Sequence, residues 1–165
     1  MIKKSVEKAI NDQIKAEFDS AYVYLAMSAY CESMNLGGFA TWLRLQYEEE
    51  MSHAKRLLDF VHNRGGKVTL QAIAKPSATF GKPLNIFKEV WKNEQKVTGL
   101  INKLYALAVK ENDYPTQVEL QWFISEQVEE EKTARDILEQ LKMVGDHGAS
   151  LHRMDLILAN RGLEQ

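Results

Sequence analysis

A chain of 165 residues with 21 Lys and Arg against 23 Asp and Glu is long enough for one domain with a substantial core. It is too evenly charged to be a general binder of nucleic acid or other polyanions. Its one cysteine, Cys31, excludes an internal disulfide and any thiolate zinc or Cys-x-x-Cys module, and no apolar run reaches membrane-spanning length, so a soluble cytoplasmic protein is expected.

The start, Met1-Ile2-Lys3-Lys4, lacks the apolar core of a signal peptide. Three prolines and nine glycines, mostly clustered, leave room for long uninterrupted helices. The first is predicted over 5–34, capped by Ser5, with the stripe Ile10, Ile14, Glu17, Ala21, Tyr24, Leu25 and Ser28 at the three- and four-residue steps that share a helix face. A short break at 35–38 turns the chain back antiparallel. The second helix, 38–64, carries Phe39, Trp42, Leu43, Gln46, Glu50, His53, Leu57 and Phe60 on one face and stops at Gly65-Gly66. The connection 67–82 holds Pro76 and Gly81, has no helical period, and contains a candidate extended piece at Val68-Thr69-Leu70. A link of this length can travel the length of a bundle and deliver a third helix parallel to the second.

Pro83 suits the first turn of that third helix, expected over 84–111 with the stripe Phe87, Val90, Trp91, Glu94, Val97, Ile101, Leu104, Tyr105 and Ala108. Asn112-Asp113-Tyr114-Pro115 turns into a fourth, 115–144, with Leu120, Phe123, Ile124, Gln127, Glu130, Ala134, Ile137, Leu138 and Leu141 in line. Gly145-Asp146-His147-Gly148 ends it. A short fifth helix over 150–160 is expected to expose Leu151, Met154, Ile157 and Leu158. The fold class is all-α: a single domain over 1–165, with a four-helix bundle, a long crossover between helices 2 and 3, and a short C-terminal helix.

Every long helix interrupts its apolar seam with metal-capable groups. The step from Glu17 to Glu50 equals the step from Glu94 to Gln127, and each pair ends in a partner three residues on, His53 and Glu130. The two hairpins thus repeat one plan, and the constant helical rise brings each acid level with the pair on its neighbour. Taken singly, any of these residues fits a snorkelling side chain or an ion pair. Taken together, with no Lys or Arg on the stripes at that level, they would leave like charges facing one another in low dielectric. Cations of high charge resolve this. Carboxylates with one imidazole and open positions suit iron in both oxidation states better than a closed zinc site.

Glu17, Glu50-x-x-His53, Glu94 and Gln127-x-x-Glu130, with Tyr24 and Trp122 nearby, resemble a ferritin of the haem-free bacterial and archaeal kind. The likeness spans nearly the whole chain, crossover and fifth helix included. It implies a ferritin-like bundle in which Glu17, Glu50 and His53 hold one iron. Glu94 and a bridging Glu50 would hold a second, with Gln127 and Glu130 close by. The implied activity is that of a ferroxidase and iron store: Fe(II) pairs give electrons to O2 or H2O2, and Fe(III) passes inward as mineral. The resemblance also implies a hollow homo-oligomeric shell of 24 subunits, with fifth helices meeting at four-fold axes and neither nucleic acid nor membrane as partner. Tyr24 is then either a packed, hydrogen-bonded phenol or a one-electron donor to the irons; Trp122 reads first as packing.

One departure bears on the chemistry. Bacterioferritins carry a second Glu-x-x-His where this chain has Gln127-x-x-Glu130, so a weaker second site and iron in transit are expected. Glu49, Glu126 and Glu129, with Glu130, match glutamates that prokaryotic ferritins use for a third iron. Met51 stands in the register of the haem-ligating methionine of bacterioferritins, although haem is not expected. Gln117 and Leu120 fall where animal ferritins line their pores with acids, which leaves Glu119 as the alternative acid on an iron route. Two other classes stay open: a di-iron redox enzyme of the rubrerythrin or oxygenase type, which Cys31 alone supplies poorly with electrons, and a DNA-protecting mini-ferritin, which would lack the fifth helix.

Overall fold

The computed structural model describes residues 1–161. Its helices are α1 (Lys4–Ser33), α2 (Gly37–Asn63), α3 (Pro83–Lys110), α4 (Tyr114–Val144) and α5 (Gly148–Ala159), and no β-strand forms among the described residues. α1 packs along α2 and α3 along α4 as two antiparallel hairpins, and α1 also meets α3. Both hairpin turns place an asparagine in the left-handed region, Asn35 at φ 59° and Asn112 at φ 52°, a conformation asparagine tolerates better than most side chains. These asparagines are as far apart in sequence as Glu17 is from Glu94 and Glu50 from Gln127. The two hairpins are therefore in register as well as alike.

The crossover climbs α1 on a ladder of side chains. Glu7 accepts from the Lys67 backbone N–H at 3.0 Å, Asn11 accepts from that of Thr69 at 2.7 Å, and Asp19 accepts from that of Ala74 at 3.2 Å. At the top, Tyr30 and Phe80 meet edge to face, 5.7 Å between centroids. The crossover therefore ends beside the C-terminal end of α1, and α3 descends parallel to α2. Val68-Thr69-Leu70 does not pair as a strand, because the Asn11 side chain takes the Thr69 N–H that a ladder would need.

Two apolar clusters fill the bundle. One gathers Tyr24, Met27, Phe39, Trp42, Leu43, Phe87, Val90 and Leu138, the other Val6, Ile10, Ile14, Leu57, Val97, Ile101, Leu120 and Phe123. Each long helix passes from one cluster to the other through its polar residues: Ile14 to Tyr24 across Glu17, Leu43 to Leu57 across Glu50 and His53, Val90 to Val97 across Glu94, Phe123 to Ala134 across Gln127 and Glu130. The carboxylates form a buried belt where the core is divided.

Two expectations need correction. Lys3, not Ser5, stands at the cap of α1 and makes no side-chain cap bond, since the helix begins at Lys4, inside which Ser5 already lies. The working cap is Asp113, which accepts the Thr116 N–H at 3.1 Å and is gripped by both Arg64 nitrogens, joining the end of α2 to the start of α4. On α5, Met154 and Leu158 are buried in the first apolar cluster and Leu151 is half-buried against it, while Ile157, with Leu156, faces outward. Of the expected exposed stripe, Leu151, Met154 and Leu158 belong to the face that packs on α2, and Ile157 is exposed.

Candidate metal centre

At the middle of the belt, Glu17 is 0%, Glu50 1%, Glu94 1% and His53 3% exposed. A carboxylate so deeply buried requires a partner for each oxygen. Glu17 has one, since Gln13 donates to its Oε1 at 2.8 Å. Its Oε2 has none, nor has either oxygen of Glu50. His53 Nδ1 stands 3.3 Å from Glu50 Oε2, within ion-pair range but without hydrogen-bond geometry. One ligand atom from each of Glu17, Glu50 and His53 lies within 4.8 Å of the others. These are orphaned acceptors and a ring nitrogen converging on one point, the donor set a hard or borderline cation takes.

The other half of the belt is more satisfied. Tyr24 donates a short bond from its hydroxyl to Glu94 Oε1 and accepts from Asn93 at 3.1 Å. Gln127 donates to Glu94 Oε2 at 3.3 Å, to the Glu94 carbonyl and to Thr98 Oγ1. Glu130 accepts at Oε2 from Gln46 at 2.7 Å. Glu94, Gln127 and Glu130 thus line the same belt but do not join the converging group. Trp122 stands edge-on to His53 at 5.4 Å and lies under the Arg56 guanidinium at 4.1 Å. Arg56 also binds Glu119 at 2.5 Å, so the Glu119 carboxylate is already paired.

The remaining acids are not gathered with one another. Glu49 is half-buried and paired with Arg161 at 2.6 Å, Glu126 is half-buried, and Glu129 is exposed. Sequence reasoning missed Gln13, Gln46, Asn93 and Arg161 as partners of the belt. Gln46 was visible as an amide on the α2 stripe, whereas Arg161 lies beyond the last predicted helix and no periodicity points to it.

Burial, reinforced by Glu94 and Glu17, holds the Glu50 carboxyl far above the ordinary range. Burial also raises Glu94 to about 7, against the hydrogen bonds from Tyr24 and Gln127, and it raises Glu130 to about 8 with help from Glu94 and Glu49. For carboxyls raised on folding, the stabilising contribution is complete below their unfolded value and lost as pH rises through about 7 to 8. Metal-stripped protein should therefore melt lower at about pH 9 than at about pH 6, and Zn(II) should abolish most of that difference by replacing the protons. Thermal unfolding at both pH values, with and without Zn(II), checks this. A stripped protein indifferent to pH would mean that the belt is not proton-loaded.

Fold and belt together define a class: helical bundles that enclose a carboxylate-rich candidate metal centre. The ferritin-like domain family matches residues 7–144. A bacterial non-heme ferritin of Bacteroides fragilis is 40% identical over 148 residues, covering 90% of this chain and 93% of that protein. Another, from Campylobacter jejuni, is 35% identical over 165 residues, covering 100% and 99%. The crystal structure of an open pore ferritin from the hyperthermophilic archaeon Archaeoglobus fulgidus superposes with a TM-score of 0.95 at 42% identity, covering 96% of this chain and 98% of that one. The chain belongs to the ferritin family.

Proposed function

We propose that this chain is an iron-storage protein with ferroxidase activity that oxidises Fe(II) at a centre inside each subunit. Membership of the ferritin family supports iron storage with ferroxidase activity. The observation that carries the local reading is the set of unpartnered buried oxygens on Glu17 and Glu50 beside His53. Fe(II) is the substrate. Glu17, Glu50 and His53 take the first ion, and Glu94, with Glu50 as bridge, takes the second. Gln127 and Glu130 stand at its margin. Two Fe(II) give up two electrons, which with two protons reduce O2 to H2O2 or H2O2 to two molecules of water. The hydrogen bond from Tyr24 to Glu94 supports a one-electron donor role for its phenol. Asymmetry between the open Glu17 side and the hydrogen-bonded Glu94 side favours iron that moves on over iron that stays.

The Fe(III) product is stored as mineral inside a homo-oligomeric shell of 24 subunits, in the cytoplasm. No helix among the described residues is long and apolar enough to cross a membrane. Leu156 and Ile157, exposed on α5, are apolar surface for a contact between copies. The assembled protein should take up Fe(II) in air and carry the iron through size-exclusion chromatography at the mass of the shell. Iron that separates from the protein on the column would overturn storage.

A third iron position is assigned to Glu49, Glu126, Glu129 and Glu130. Glu49→Ala combined with Glu126→Ala should leave rapid two-iron oxidation intact and change the ratio of iron oxidised to oxygen consumed, followed with an oxygen electrode. An unchanged ratio and an unchanged regeneration rate would remove those glutamates from the reaction.

A further inference from the structure

Arg161 reaches the belt from the end of α5. Its Nη2 donates to Glu49 Oε2 at 2.6 Å and its Nη1 to Gln46 Oε1 at 2.8 Å, while the guanidinium stacks 4.5 Å over the Trp42 ring. Gln46, fully buried, donates from Nε2 to Glu130 Oε2 at 2.7 Å. An arginine has only donors, so the Gln46 carbonyl must face it and the amide N–H must face Glu130. One cation thereby fixes the orientation of a buried carboxylate it does not touch. Among the described residues it is also the only Lys or Arg within ion-pair distance of Glu17, Glu49, Glu50, Glu94, Glu126, Glu129 or Glu130.

We propose that Arg161 is a positioning residue and a competing cation: it holds Glu130 toward the centre through Gln46, and its occupation of Glu49 opposes metal at the third position. This rests on the assignment of a third metal to Glu49, Glu126, Glu129 and Glu130. The guanidinium supplies the positive charge that a metal on Glu49 would otherwise supply, so the two cations compete for one carboxylate. Metal on the Glu49 side sets a second positive charge beside the guanidinium and weakens its hold on Glu49, and with it the bond that orients Gln46. Filling the third position therefore passes Glu130 from the Gln46 amide to the metal, and the end of α5 is coupled to the load of the centre.

The test is titration of assembled wild-type and Arg161→Gln protein with Zn(II), which has no redox chemistry, by calorimetry. Three binding events per subunit are expected. In Arg161→Gln the weakest should tighten roughly tenfold while the two tighter events shift by less than about threefold. Adding Glu49→Gln to Arg161→Gln should cancel the gain. Three events with the weakest unchanged would overturn the role of Arg161 and leave the third position standing. Only two events in both proteins would overturn the third position and this inference with it. Arg161→Lys decides the case if Arg161→Gln loosens α5, because lysine keeps the charge on Glu49 but lacks the fork that spans to Gln46. A weakest event in Arg161→Lys within about threefold of wild type supports the competing charge, and one tightened as far as in Arg161→Gln overturns it.

Discussion

Glu17→Ala and His53→Ala should each slow the fast oxidation of the first two Fe(II) per subunit by on the order of a hundredfold or more, since loss even of a residue that merely supports a ligand costs about 10–100-fold in metal affinity. Stopped-flow absorbance at two Fe(II) per subunit reads this directly. The fold should survive. Glu17 and Glu50 face each other with unpartnered oxygens, and replacing an acid there removes a buried group that is costly while metal is absent. Stripped Glu17→Ala should therefore melt close to stripped wild type, because relief of a buried acid offsets the cavity and the Gln13 amide left without its acceptor. His53→Ala gives up its edge-on packing with Trp122 and Phe123 and should melt slightly lower. Near-native oxidation in both variants would sink the assignment. Lost oxidation with a collapsed bundle would show that the belt is structural first.

The reach of the sequence is clearest on the helices that cross the belt. A seam such as Val90, Glu94, Val97, Ile101 has one period and one interruption, and both are local properties that survive folding. The turns were legible because Asn35-Leu36-Gly37-Gly38 and Asn112-Asp113-Tyr114-Pro115 hold the residues that turns require. What the pattern did not carry was the choice between faces on a short helix with apolar residues on more than one side. On α5, Leu151, Met154, Leu156, Ile157 and Leu158 leave the buried side undecided, and only packing into the apolar cluster that also holds Trp42 and Phe39 selects Met154 and Leu158. The crossover was legible as a length but not as a path, because Glu7, Asn11 and Asp19 look like ordinary surface residues until Lys67, Thr69 and Ala74 bond to them.

The candidate centre divides in the same way. Groups on a stripe, Glu17, Glu50, His53, Glu94, Gln127 and Glu130, could be named from spacing alone. Partners approaching from the side or from far along the chain could not, as with Gln13 on Glu17, Asn93 on Tyr24 and Arg161 on Glu49. Spacing reports which residues share a face. It does not report which of them already have a hydrogen bond, and that difference separates the open Glu17 and Glu50 oxygens from the satisfied Glu94.

Gly37→Ala and Gly38→Ala, one residue apart at the start of α2, should have opposite outcomes. A Cβ on Gly37 meets nothing within 4 Å, whereas on Gly38 it would drive into the carbonyl of Asp155 and reach 3.0 Å from its Cα. Backbone cannot rotate away as a side chain can, so α5 must shift. That shift breaks the bond from the Phe39 N–H to Asp155 Oδ1, 2.9 Å, which satisfies one of the free donors at the N-terminus of α2. It also uncovers Met154 and Leu158. Gly38→Ala should cost about 1–3 kcal/mol or more, the range for forcing extra bulk into a packed contact. Gly37→Ala should be neutral or stabilising by up to about 1 kcal/mol through helix propensity. Hydrogen exchange resolves the cause: the amides of α5 should lose protection in Gly38→Ala while those of α1 and α3 keep theirs. Because α5 carries the exposed Leu156 and Ile157, the same variant should assemble poorly by light scattering. Intact shells with a protected α5 in Gly38→Ala would mean that the close approach of α5 to α2 is not what holds the helix in place.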